Sequence, residues 1–131
     1  MKDFRQLTVW QRAHQNTLRV YRYTRRFPRE ETYGLVSQLR RCSSSVAANI
    51  AEGCGRSGNA EFSRFLAIAM GSASELEYFL LLARDLEYLS PLDYEAITDE
   101  VRKMRRTLNS LITKVQNERV NAPRKGTAVL S

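Results

Sequence analysis

The sequence predicts an all-α protein, an antiparallel up-down-up-down four-helix bundle. Three observations carry the prediction. Apolar residues recur every three or four positions along most of the chain, and no run shows the two-residue alternation of a half-buried strand. Start and stop signals divide this periodic sequence into four stretches with short connections. Four amphipathic stretches so joined bury their stripes most economically against one another, in up-down order. At 131 residues the chain has the size of one domain.

The first helix is expected to start at Thr8. Thr8 and Gln11 have capping-box spacing, and Leu7 precedes them as a staple residue. Trp10, Ala13, Thr17, Val20, Tyr21 and Thr24 are read as its inner face. Phe27-Pro28 stops it, because the residue before a proline is pushed out of the helical region. A second helix is expected over residues 30–51. Glu30 and Glu31 stand at the positive end of its dipole, and Leu35, Val36, Leu39, Cys42, Val46 and Ile50 form its stripe. Gly53 and Gly55 are read as its end.

The third helix should open at Asn59, a good capping residue, and run to Tyr88. The fourth opens at Ser90-Pro91-Leu92-Asp93, with serine as cap, proline at the first position and an acid three residues after the cap. Ile97, Val101, Met104, Leu108, Leu111, Ile112 and Val115 then repeat over about five turns. The pattern fades after residue 118, so residues 1–118 are assigned to the bundle and 119–131 to a flexible basic tail.

Two features bear on packing. Tyr78-Phe79-Leu80-Leu81-Leu82 is five apolar residues in a row, which at about 100° per residue point all around the helix axis. Either a leucine stays partly exposed, or Tyr78, Leu81 and Leu82 belong to a second interface through which the bundle self-associates. Small residues, Ser43 to Ala51 on the second helix and Ala67 to Ser74 on the third, predict close packing of those two helices. Arg40 or Arg41 is expected to pair with Glu75 near their junction, as structural bonding or subunit contact.

The charge is uneven. The net charge is +7, and residues 1–29 hold eight basic residues against the single acid Asp3, a surplus equal to that of the whole chain. Residues 54–89 hold three arginines against five acids. Arg12, Arg19, Arg22 and Arg26 are spaced to share one face of the first helix, with Tyr23 at its edge. Arg102 and Arg106 concentrate positive charge on the fourth helix. Guanidinium forks suit phosphate and stack on bases, so the pattern points to nucleic acid. Two other readings stay open: a solvated outer face, or a face that meets the acidic third helix of a neighbouring copy.

The residues argue against catalysis. His14 is the single histidine and has no acid at helical spacing. No His, Cys, Asp and Glu set has metal-ligand spacing, and no cofactor motif is present. Gly53-Cys54-Gly55-Arg56-Ser57-Gly58 lacks the ending and the preceding strand of a phosphate loop. Cys42 falls on an apolar stripe and reads as core, whereas Cys54, in the glycine-rich turn, reads as the more exposed thiol. With no apolar run near 20 residues and no signal segment, a cytoplasmic protein without a membrane partner is expected.

Several ordered motifs resemble one family. Gln38-Leu39-Arg40-Arg41, Ser45 to Gly53, Gly55-Arg56 and Phe65 to Leu76 resemble the bacterial four-helix bundle proteins of the 23S rRNA intervening-sequence family. Phe4, Leu7, Trp10-Gln11 and Ala13, then Phe27-Pro28 and Tyr33-Gly34-Leu35, look like that family's first stretch. The resemblance implies a homo-oligomer, typically a five-membered ring. It also implies kinship with the accessory protein of diversity-generating retroelements, which binds nucleic acid and a reverse transcriptase. The expected function is therefore a non-enzymatic homo-oligomeric accessory protein that binds RNA or DNA. The alternative is a protein-interaction scaffold without a direct nucleic-acid role.

Overall fold

The computed structural model describes residues 2–121. Four helices follow in order: α1 Thr8–Thr24, α2 Leu35–Gly55, α3 Gly58–Asp85 and α4 Pro91–Asn121. Short 3-10 turns at Phe4–Gln6 and Arg29–Glu31 precede α1 and α2. Each helix packs on the next in sequence and α1 closes the bundle against α4, with α2 and α3 in the most extensive contact. This is the up-down arrangement expected from four periodic stretches with short connections.

The core is built from one stripe per helix. The α2 stripe Leu35, Val36, Leu39, Cys42, Val46 and Ile50 is buried in full, as its period requires. Leu66, Ala69, Ala73, Leu76 and Leu80 of α3 and Ile97, Val101, Met104 and Leu108 of α4 meet it. On α1 the buried set is Val9, Ala13, Asn16, Val20 and Thr24, followed by Phe27. Trp10 and Thr17 are only partly buried, and Tyr21 is 40% exposed. The inner face is thus rotated from the expected one: the stripe passes through polar Asn16, which an apolar pattern skips.

Helix boundaries follow local bonding. Thr8 does not cap α1, and Gln11 reaches back to donate to the Arg5 carbonyl at 2.9 Å instead. The stop at Phe27-Pro28 acts three residues early, because α1 ends at Thr24 and a turn places Phe27 in the core. Leu35, not Glu30, opens α2; a Glu31 carboxylate oxygen accepts its N–H at 3.2 Å. Ser90 caps α4 as expected, accepting the Asp93 N–H at 3.0 Å.

α2 ends at Gly55 as expected, whereas Gly53 lies inside it. A Cβ at Gly53 would sit 3.0 Å from Phe62 Cδ1 and Phe65 Cβ, so this glycine lets α2 and α3 approach closely. Cys54, one residue on, is buried rather than exposed, and the Lys2 N–H donates to its carbonyl at 3.2 Å. α3 begins at Gly58, whose φ is +80°, one residue before the expected Asn59, and it ends at Asp85 rather than Tyr88. α4 continues through Arg119, Val120 and Asn121, so the helix consumes the first residues assigned to a tail; the rest of that tail lies outside the described residues. By length and composition α3 would suffice to cross a membrane, yet its inner face forms the middle of this bundle.

Candidate nucleic-acid interface

The arginines of α1 divide between two settings. Arg12, Arg19 and Arg26 line the seam with α4. Arg12 donates to Thr107 Oγ1 at 3.1 Å, and Arg26 pairs with Asp93 at 3.4 Å. Arg19 donates to Asn16 Oδ1 at 3.0 Å, and the Asn16 amide points at the Glu100 carbonyl, 3.5 Å away. Arg22 and Arg25 are exposed. The seven–three–four spacing therefore does not make one uniform face, because the core stripe turns Arg12 and Arg19 towards α4.

The charge balance of this surface is decisive. Among the described residues, Arg12, Arg19, Arg22, Arg25, Arg102 and Arg106 form no ion pair with a carboxylate. Lys103 is held by Asp99 at 3.2 Å and Glu100 at 3.4 Å, and the Asp99 hydrogen bond raises its pKa. Most basic residues on the α2–α3 side are paired: Arg41 with Glu75 at 2.6 Å, Arg56 with Glu52 at 2.6 Å and Arg64 with Glu61 at 2.9 Å. The Arg64 hydrogen bond holds the Glu61 carboxyl below its ordinary range. Seven of the nine arginines without a carboxylate partner among the described residues thus lie on α1, its C-cap Arg25 included, and on α4; the other two are Arg29 and Arg40.

Two aromatics differ from expectation. The Tyr23 ring packs partly against the core and lies 5.5 Å beneath the Arg26 guanidinium, so its faces are largely taken. Tyr33, which belongs to no apolar stripe, is 96% exposed on the α1–α2 connection. Its nearest charged neighbours in the chain are Glu30 and Glu31, with Arg29 beyond them.

The residues expected at a subunit contact also separate. Arg41 makes the Glu75 bridge between α2 and α3 and also donates to Gln38. Arg40 turns to α1, donating to Thr24 Oγ1 at 3.0 Å and lying 4.5 Å over the Tyr21 ring. Leu82 packs partly against the core and Leu81 is half-buried. Tyr78 is 56% exposed and Ile68 41%. With Ala67, Gly71 and Ser74 they make an outward row on α3 without a partner in the bundle.

The remaining reactive groups sit in structural settings. Burial pushes the Cys42 thiol up to about 12 and raises that of Cys54. His14 stacks on Trp10 with ring centroids 5.0 Å apart, beside Phe4, Ala47 and Ala51. Among the described residues no three His, Cys, Asp or Glu side chains converge as metal ligands. Asn49 donates to Ser45, whose hydroxyl meets Ser72 at 2.9 Å, so this polar set bridges α2 and α3.

The fold has a solved counterpart. A protein with unknown function from the S23 ribosomal protein family of Bacteroides thetaiotaomicron is 27% identical, with a TM-score of 0.74 over 80% of this chain and 95% of that one. No curated protein matches the chain. The family described as 23S rRNA-intervening sequence protein matches residues 5–110, which include the first three helices and most of α4. The chain therefore belongs to the 23S rRNA-intervening sequence protein family.

Proposed function

We propose that this protein is a non-enzymatic, homo-oligomeric accessory protein that binds RNA or DNA through the basic surface of α1 and the outer side of α4. The observation that carries the reading is that, of the nine arginines without carboxylate partners among the described residues, six, Arg12, Arg19, Arg22, Arg25, Arg102 and Arg106, stand on α1 with its C-cap and on the middle of α4. Phosphate would meet guanidinium forks already steadied by Thr107 and Asn16. Exposed Tyr33 supplies a face for an unstacked base. Copies joined through the outward row on α3 would present several such surfaces at once and raise avidity for a polyanion. The same row supports the second reading, a scaffold that engages a protein such as a reverse transcriptase.

Titration of labelled single-stranded RNA at two salt concentrations tests the reading. Six phosphate contacts on a single strand correspond to a log–log salt slope of about −4. Arg22→Glu with Arg25→Glu is the informative variant, because neither side chain bonds within the bundle. It should lower affinity strongly while leaving helicity intact. Absent binding at low salt, or binding indifferent to that variant, would leave the scaffold reading in place.

A further inference from the structure

The α3–α4 seam opens into a cleft of about 410 Å³ lined by Met70 and Glu77 of α3 and by Arg102, Arg105, Arg106 and Asn109 of α4. The α4 residues are spaced three, four and seven apart and so share one side of the helix. Arg105 Nη1 pairs with Glu77 Oε2 at 2.8 Å. The pair is incomplete: Arg105 Nε and Glu77 Oε1 are both buried without a hydrogen-bond partner among the described residues. Arg102 and Arg106 have no carboxylate partner there at all. One carboxylate thus faces three guanidinium groups.

We infer that this cleft is a phosphate-binding subsite at the α4 part of the basic surface, in which Glu77 holds Arg105 in reserve. The inference rests on the nucleic-acid reading for the source of the phosphate, not for the site. A phosphate seated between Arg102 and Arg106 offers Arg105 what Glu77 does not, acceptor oxygens for Nε and Nη together. A buried N–H left unmade is costly, so the free state keeps Arg105 short of its full bonding and ready to exchange partners. Glu77 opposes that exchange, because its own charge repels the incoming phosphate and competes for the same guanidinium. Met70 gives the cleft an apolar wall beside the charges, which suits the sugar or base attached to a phosphate better than a bare ion.

The test uses the full chain in two titrations, one with a short labelled single-stranded RNA and one with ATP. Arg102→Ala with Arg106→Ala should weaken RNA binding about tenfold and lower the magnitude of the salt slope by about 1.4. Glu77→Gln, nearly the same shape, should tighten binding about threefold, an effect a purely structural Glu77 would not produce. If the arginine variant weakens RNA binding alone, the ligand is a polynucleotide backbone; if it also abolishes ATP binding, the cleft takes a nucleotide phosphate regardless of chain. Unchanged affinity for both ligands in the arginine variant, or weaker binding in Glu77→Gln, overturns the inference. RNA that fails to bind the unaltered protein defeats the nucleic-acid reading, and the ATP titration then decides the cleft alone: binding lost in the arginine variant keeps the site, and no binding overturns it.

Discussion

The Tyr88 hydroxyl donates to Glu31 Oε2 at 3.0 Å, while Oε1 of the same carboxylate accepts the Leu35 N–H at 3.2 Å. One side chain thus ties the start of α2 to the α3–α4 connection, and Phe27 packs its ring 5.4 Å from that of Tyr88. The hydrogen bond to Glu31 raises the Tyr88 pKa above its ordinary value of 10.0. The folded state therefore favours the neutral phenol. Its contribution is present in full below pH about 10 and is lost as pH rises through the raised folded-state value. Urea midpoints compared at pH 8 and 11 should fall further for the unaltered chain than for Tyr88→Phe. Equal losses would mean that the bond does not couple to stability.

Asn16, 1% exposed, is the polar member of the α1 stripe. It accepts from Arg19 and aims its amide at the α4 backbone, so it places a guanidinium at the seam. Asn16→Ala should cost about 1–3 kcal/mol, the penalty of unmet buried groups. Asn16→Leu, apolar and of similar size, should recover much of that loss. Both should weaken RNA binding less than Arg19→Ala does. Denaturant melts and anisotropy on the same samples separate the two effects, and an Asn16→Ala protein of unaltered stability would rule out this role.

These two sites mark how far the sequence could be read. The apolar stripes of α2 and α4 were legible because period alone specifies them, although Ser43 and Thr98 are buried beside them and Leu111 and Ile112 only partly so. So was the Ser90 cap, whose signals are all local. The α1 face was not, because Asn16 interrupts an otherwise regular register of Val9, Ala13, Val20 and Thr24. Gly53 carries two opposed meanings, helix end and close approach, and the choice depends on Phe62 and Phe65 of another helix. Burial of Cys54 follows from that same approach. The arginine excess was visible as a count, but which arginines lack acids depends on pairings between residues far apart in sequence, such as Arg26 with Asp93 and Arg41 with Glu75.

Gly53 can be tested directly. A methyl group there would meet the Phe62 ring edge and the Phe65 Cβ at 3.0 Å. Phe62 and Phe65 are both buried, so neither can swing away freely. Gly53→Ala gains helix propensity but should still lose about 1–3 kcal/mol through forced separation of α2 and α3. A urea midpoint at or above that of the unaltered chain would show that the seam relaxes.

The end of α3 offers the opposite sign. Glu87 has φ of 65°, the Tyr88 N–H bonds the Ala83 carbonyl at 2.9 Å and the Glu87 N–H bonds the Arg84 carbonyl at 2.9 Å. This is a Schellman end with glutamate where glycine is favoured. The left-handed conformation costs a residue with a Cβ about 1–2 kcal/mol. Glu87→Gly should therefore stabilise by about 1 kcal/mol after its own chain-entropy cost. The urea midpoint should rise with an unchanged m-value, and a fall would locate a compensating contact at the Glu87 side chain.

The outward row of α3 makes the last prediction. Ile68 and Tyr78 are exposed, and Ala67, Gly71 and Ser74 beside them add no charge. A contiguous uncharged strip with exposed Ile and Tyr suits an interaction face, and a second copy is the partner always at hand. Sedimentation should show the unaltered chain as an oligomer and Ile68→Glu with Tyr78→Glu as a monomer of equal helicity. Gly71 then gives an internal check, since a Cβ there meets nothing within 4 Å in the single bundle. In the monomeric background Gly71→Ala should stabilise by about 1 kcal/mol through helix propensity alone. In the unaltered background the added methyl must fit against a neighbouring copy, so that gain should shrink or reverse. Equal gains in both backgrounds would remove Gly71 from the contact, and a monomeric unaltered chain would remove the contact itself.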